Sequence, residues 1–151
     1  RTIAQALART DPKNQSLYQK NLETTLTRLE ALDSELRDLL RPLRGRTLLV
    51  YHPSFGYFAD EYGLEQKAIE VRGREPSPRA LRRILDAADA EGTPAIFVQP
   101  QFDSSSAEAL ARSLGARTYS LDPLPRDYSE GLRQIARTLL DALQPRSSPA
   151  P

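Results

Sequence analysis

The sequence predicts an α/β fold: a mostly parallel sheet of about four strands flanked by helices and preceded by a long linking helix. Three observations carry this. Strand-sized apolar runs alternate with amphipathic helical stretches after Gly45. The two strongest runs, TLLVY at 47–51 and AIFVQ at 95–99, are nearly all apolar, as expected of strands buried on both faces. A leucine stripe before Gly45 runs far longer than an ordinary globular helix.

The elements follow in order. Residues 2–9 read as a short helix with Ile3, Ala4, Leu7 and Ala8 on one face. Asp11-Pro12 supplies an N-cap residue and a proline suited to the first helical position. From Pro12 to about Leu43 the stripe is Leu22, Leu26, Leu29, Leu32, Leu36, Leu39, Leu40 and Leu43, in steps of three and four. One helix over that span would be roughly 45–50 Å long, so it either pairs as a coiled coil or joins two lobes. Pro42 bends or ends its last turn.

Residues 47–51 form the first strand, 55–62 a short aromatic helix, and 67–71 (KAIEV) a weaker edge strand. Ser77-Pro78 opens a helix with Leu81, Ile84, Leu85 and Ala88 inward and Gly92 at its end. After the strand at 95–99, Ser105 and Glu108 have capping-box spacing for a helix carrying Leu110, Ala111 and Leu114, ended by Gly115. RTYSL at 117–121 is the next strand. Asp127 and Glu130 repeat the capping-box spacing before a last helix with Leu132, Ile135, Ala136, Leu139, Leu140 and Leu143. The Pro/Ser-rich tail from Gln144 reads as disordered. The expected division is therefore 1–44 for the linking helix region, 45–143 for the α/β lobe, and 144–151 for the tail.

Composition removes several function classes. The 151 residues hold 21 Lys and Arg against 20 Asp and Glu, a net charge of +1, without the basic excess of a nucleic-acid binder. With no cysteine, thiolate metal sites, disulfides and cysteine nucleophiles are excluded. His52 is the only histidine, so a self-contained multi-histidine zinc site is impossible. No apolar run approaches a membrane span, and no secretory h-region precedes the first helix. The chain opens on Arg1 in what reads as mid-helix, which points to a piece of a longer protein.

In open parallel sheets, ligands collect beyond the carboxyl ends of the strands. His52 follows TLLVY, Gln99 closes AIFVQ and Asp122 follows TYSL, so parallel strands would bring all three to one rim. His52 and Asp122 each have a bland alternative: a turn histidine with a satisfied ring, and an Asp-Pro turn starter. The shared rim favours the ligand reading. An imidazole and a carboxylate suit Zn²⁺ or Mn²⁺. Zinc takes four ligands, so the others would come from another lobe or chain. The alternatives are a small α/β enzyme with His52 as general base, and a coiled-coil interaction module built on the leucine stripe. Against the first, no GxSxG elbow surrounds Ser104, Ser105 and Ser106. GxGxxG, GxxxxGK[ST] and HExxH are also absent. Against the second, Leu39 and Leu40 break the heptad. Arg72, Arg74, Arg79, Arg82 and Arg83, interleaved with Glu70, Glu75 and Asp86, read as a solvated face. Tyr51, Phe55, Tyr57, Phe58 and Tyr62 crowd near His52 and read mostly as core and rim packing.

The blocks HPSFGYFADEYGLEQKAIEV, GREPSPRAL, AIFVQPQFDSSSAEALARSLGA and LDPLPRDYSEGL, in that order, resemble the C-terminal lobe of the periplasmic zinc/manganese solute-binding proteins of ABC importers. DPKNQSLYQKNLETTLTRLEALDSEL is similar to that family's long backbone helix. The resemblance implies two α/β lobes joined by a rigid helix, with the metal held between them. His52 and Asp122 would be this lobe's ligands. The others, typically histidines, would belong to an N-terminal lobe. Gln99 departs from the glutamate many relatives carry there. Histidine rather than glutamate in the first block favours Zn²⁺ over Mn²⁺. The implied protein is no enzyme. It works in the periplasm or otherwise outside the cytoplasm, with or without a membrane anchor, and delivers zinc to a membrane permease. The lobe alone would bind zinc weakly, and its exposed helix and lobe face favour a dimer. Protons compete with zinc for the imidazole, so binding weakens in acid.

Overall fold

The computed structural model describes residues 1–70, 77, 79, 82–84, 95–101, 108–109, 111–112 and 115–143. They fall into two compact units, Arg1–Asp38 and a second beginning at Leu39.

The first unit holds α1 (Thr2–Thr10), a 3₁₀ turn (Pro12–Asn14), and most of α2 (Gln15–Leu40). The single helix expected from Pro12 to Leu43 is thus three segments. At its start, the ring of Pro12 favours a tight 3₁₀ turn. At its end, Pro42 has no N–H to continue the ladder, and Arg41–Leu43 closes as 3₁₀. The 26 residues of α2 span about 39 Å. Asp11 does not cap a backbone N–H with its side chain. Its Oδ2 instead accepts from Asn14 Nδ2 at 2.7 Å and from the Tyr18 hydroxyl at 2.9 Å. Leu32, Leu36, Leu40 and Leu43 are buried within the chain, so they cannot form the free seam of a coiled-coil module.

The second unit holds a four-stranded parallel sheet in the order β2-β1-β3-β4. The strands are β1 (Thr47–Val50), β2 (Glu65–Ala68), β3 (Ala95–Val98) and β4 (Arg117–Ser120). Burial follows their composition: Leu48, Leu49, Val50, Ala95, Ile96 and Phe97 are sealed, whereas the more polar β2 takes an edge. Leu49, Ile69, Ile96 and Ala111 form a core cluster with Tyr51, Ile84 and Ala116 packed against it. Each fully buried Leu or Ile among them contributes about 1.5–3 kcal/mol.

Between β1 and β2 lies α3 (Gly56–Tyr62). It ends at Gly63, whose φ of +72° closes the helix without a Cβ clash. Residues 82–84, 108–109 and 111–112 are also helical. The last helix, α4 (Tyr128–Leu143), starts as its capping box predicts, with Glu130 N–H donating to Asp127 Oδ1 at 2.9 Å. It buries Ile135, Ala136, Leu139, Ala142 and Leu143. The expectations for Arg72, Arg74, Pro78, Leu81, Leu85, Ala88, Gly92, Ser105, Leu110 and Leu114, and for the tail from Gln144, lie outside the described residues.

Candidate metal site

The strand order creates a switch point. The chain leaves β1 toward β2 on one side, and leaves β3 toward β4 on the other. The crevice beyond the carboxyl ends of β1 and β3 is where such sheets bind ligands. His52 follows β1, Gln99 follows β3 and Asp122 follows β4, so the parallel sheet puts all three at one edge. β1 and β4 flank β3, two strand spacings or about 9–10 Å apart.

Main-chain ladders fix these positions beyond the strands themselves. Tyr51 N–H donates to Phe97 O, and Leu121 N–H to Val98 O, both at 2.8 Å. On the other side, Ile69 N–H donates to Val50 O and Glu70 N–H to Tyr51 O, both at 2.9 Å.

The side chains then interlock. Gln99, 2% exposed, donates from Nε2 to the His52 carbonyl at 2.7 Å. The reverse amide orientation would set two oxygens against each other, so the bond fixes the amide. Gln99 Oε1 is buried and accepts no hydrogen bond among the described residues. His52 Nδ1 lies 2.7 Å from Glu70 Oε2. Asp122 Oδ1 accepts from Leu124 N–H at 2.9 Å, an Asx turn, and from Gln101 Nε2 at 2.6 Å. Both bonds fall on the same oxygen.

Among the described residues, no group of three or more His, Cys, Asp or Glu side chains is placed to hold a metal ion. What the rim offers is one imidazole, His52, and two carboxylates, Asp122 and Glu70, of which Glu70 is taken up by His52 Nδ1. Such a set suits zinc and needs completion from elsewhere.

The family model for the periplasmic zinc-uptake complex component A, ZnuA, matches residues 1–142. The chain belongs to this family. The high-affinity zinc uptake system protein ZnuA of Paracoccus denitrificans is 32% identical over 151 residues, covering 93% of this chain and 46% of the relative. A crystal structure of ZnuA superposes with a TM-score of 0.88 at 42% identity, over 93% of this chain and 53% of that one. A zinc-bound ZnuA deletion mutant gives a TM-score of 0.87 at 42% identity, over 95% and 56%. The chain thus spans about half the length of the ZnuA proteins it matches. ZnuA is a family of metal-binding transport components rather than of enzymes.

Two rim residues escaped the sequence reading. Glu70 was placed on a solvated charged face, yet its side chain is 15% exposed and turned onto His52. The expected strand at 67–71 held Glu70 within it; the observed β2 ends at Ala68, so Glu70 stands two residues beyond it, as His52 stands beyond β1. Gln101 gave no signal, because nothing local ties it to Asp122. The aromatic cluster divides: Phe55 and Tyr62 are buried, while Tyr57 stands 95% exposed.

Proposed function

We propose that this chain supplies two zinc ligands, His52 through Nε2 and Asp122 through a carboxylate oxygen, to a solute-binding protein whose other ligands lie on a second, N-terminal lobe. The assembled protein captures Zn²⁺, in preference to Mn²⁺, outside the cytoplasmic membrane and hands it to an ABC importer permease. It catalyses no reaction. The observation that carries this is the parallel sheet, which sets His52 and Asp122 at one edge beside the switch point. The exposed side chain of Leu124, whose N–H donates to Asp122, supports a surface covered in the complete protein. The ZnuA relatives support zinc as the cargo. No described helix is long and apolar enough to cross a membrane.

The test is competition calorimetry of the 151-residue chain with zinc. Two ligands leave the rest of the coordination to water, so the expected affinity is micromolar or weaker. His52→Ala and Asp122→Ala should each reduce it by about tenfold or more. Sub-micromolar, one-to-one binding by the monomeric chain, or an unchanged affinity in His52→Ala, would overturn the proposal. Sedimentation at several concentrations shows whether the chain dimerises through its exposed helix face.

A further inference from the structure

Glu70 touches the proposed zinc ligand but is not itself in position to share the ion. Its Oε2 lies 2.7 Å from His52 Nδ1, and the two side chains are 15% and 33% exposed. The contact is a product of the fold, since the partners stand 18 positions apart in sequence. Parallel pairing sets Lys67 beside Leu49 and Ala68 beside Val50. The ladder runs on through Ile69 to Glu70, whose N–H donates to Tyr51 O at 2.9 Å. Glu70 therefore arrives beside His52 with its backbone already fixed.

The chemistry of the pair decides its role. A carboxylate only accepts, so the bond requires a proton on Nδ1 and leaves the lone pair of the neutral ring on Nε2. The two ring nitrogens direct their bonds away from each other across the ring. A carboxylate seated on Nδ1 cannot also bind an ion held at Nε2. Left without a partner on Nδ1, the ring would divide between tautomers, and one of these carries its proton on the nitrogen that zinc needs.

We propose that Glu70 is a positioning residue for zinc: its carboxylate holds His52 in the Nδ1–H tautomer, fixes the ring plane, and strengthens Nε2 as a donor. A carboxylate behind a metal-bound imidazole has this effect generally. The role rests on His52 being a zinc ligand. Gln99 complements it from the other end of the residue, because it grips the His52 carbonyl while Glu70 grips the ring.

The test reads the tautomer directly, without metal. His52 is the only histidine, so a long-range ¹H–¹⁵N spectrum of the labelled 151-residue chain at pH 8 shows a single imidazole pattern. The wild-type ring should carry its proton on Nδ1. In Glu70→Ala the pattern should move toward the Nε2–H tautomer, and zinc affinity should fall by about ten- to hundredfold. Glu70→Gln keeps an acceptor oxygen at similar reach and should recover most of both. Backbone amide dispersion confirms that each variant is folded. A wild-type ring protonated on Nε2, or an unchanged ring pattern in Glu70→Ala, overturns the inference even where His52→Ala still weakens zinc binding. A displaced tautomer combined with unchanged zinc affinity in His52→Ala overturns the zinc reading, and with it the role of Glu70 toward zinc.

Discussion

Gln99 Nε2 donates a 2.7 Å hydrogen bond to the main-chain oxygen of His52, 47 positions earlier in the chain. The bond ties the carboxyl end of β3 to the carboxyl end of β1 across the switch point of the sheet. It fixes the backbone from which the imidazole projects. It also leaves Gln99 Oε1 buried and without a partner among the described residues. An orphaned buried oxygen of this kind costs about 1–3 kcal/mol.

Gln99→Leu should therefore separate stability from function. The His52 carbonyl also accepts from Ser54 N–H at 2.9 Å, so it keeps one partner when the amide is removed. Losing one neutral hydrogen bond costs about 1 kcal/mol, which removal of the orphan oxygen offsets. In urea unfolding, Gln99→Leu should match the wild type or exceed it by roughly 1 kcal/mol. Its zinc affinity should fall, because the loop bearing His52 is no longer braced. A loss of stability above about 2 kcal/mol would show that the amide bond matters more than the orphaned oxygen costs.

Gly131 governs the segment that carries Asp122. A Cβ added there would clash with Cβ and Cγ of Pro125. Both residues line a small cavity of about 140 Å³ that also includes Asp122. Alanine would ordinarily favour a helix, yet here it drives the first turn of α4 and the 122–127 segment apart. Gly131→Ala should destabilise by about 1–3 kcal/mol. Amide shifts should change over 121–126 while the signals of β1 stay in place. Equal or greater stability, with unmoved Leu121 and Asp122 amides, would contradict the packing described here.

Asp11 makes the start of α2 sensitive to acid. Hydrogen bonds from Asn14 and then Tyr18 hold its carboxyl below the ordinary value of 3.8. The same contact raises the Tyr18 hydroxyl above its ordinary 10.0. A carboxyl with a lowered pKa in the folded state adds stability that is complete above its ordinary value. That stability fades as pH falls through the lowered one. A ¹³C-detected titration of the Asp11 carboxyl should give a midpoint below 3.8. In Tyr18→Phe the midpoint should rise toward the ordinary value. A wild-type midpoint at or above 3.8 would remove the pair as an acid-sensitive contact.

The sheet was legible because its strands carry one-dimensional signals. TLLVY and AIFVQ have no polar face to expose, and each strong strand is followed by a helix, which forces parallel pairing. His52, Gln99 and Asp122 were legible for the same reason, as the first polar positions at or after strand ends. Strand order was not legible. The polar composition of β2 marked it as an edge strand, but nothing local says that β1 is the strand it pairs with or that β3 lies on the other side of β1, and the Glu70–His52 contact depends on that pairing. Gln101 was invisible likewise, because its bond to Asp122 spans 21 positions. The break of the long helix at Asn14 shows the reverse. Pro12 reads as the first residue of the helix, and a proline at that position is compatible with either an α or a 3₁₀ first turn, so the sequence did not separate Pro12–Asn14 from α2.

Zinc K-edge absorption on the 151-residue chain, with protein in excess over metal, examines the coordination shell itself. His52 is the only imidazole the chain possesses, so its outer-shell scattering identifies the ligand without mutation. The expected shell holds one imidazole and otherwise oxygen, and Asp122→Ala changes the oxygen shell while the imidazole remains. A zinc shell made of oxygen alone would contradict His52 as a ligand, and with it the half-site at the edge of the sheet.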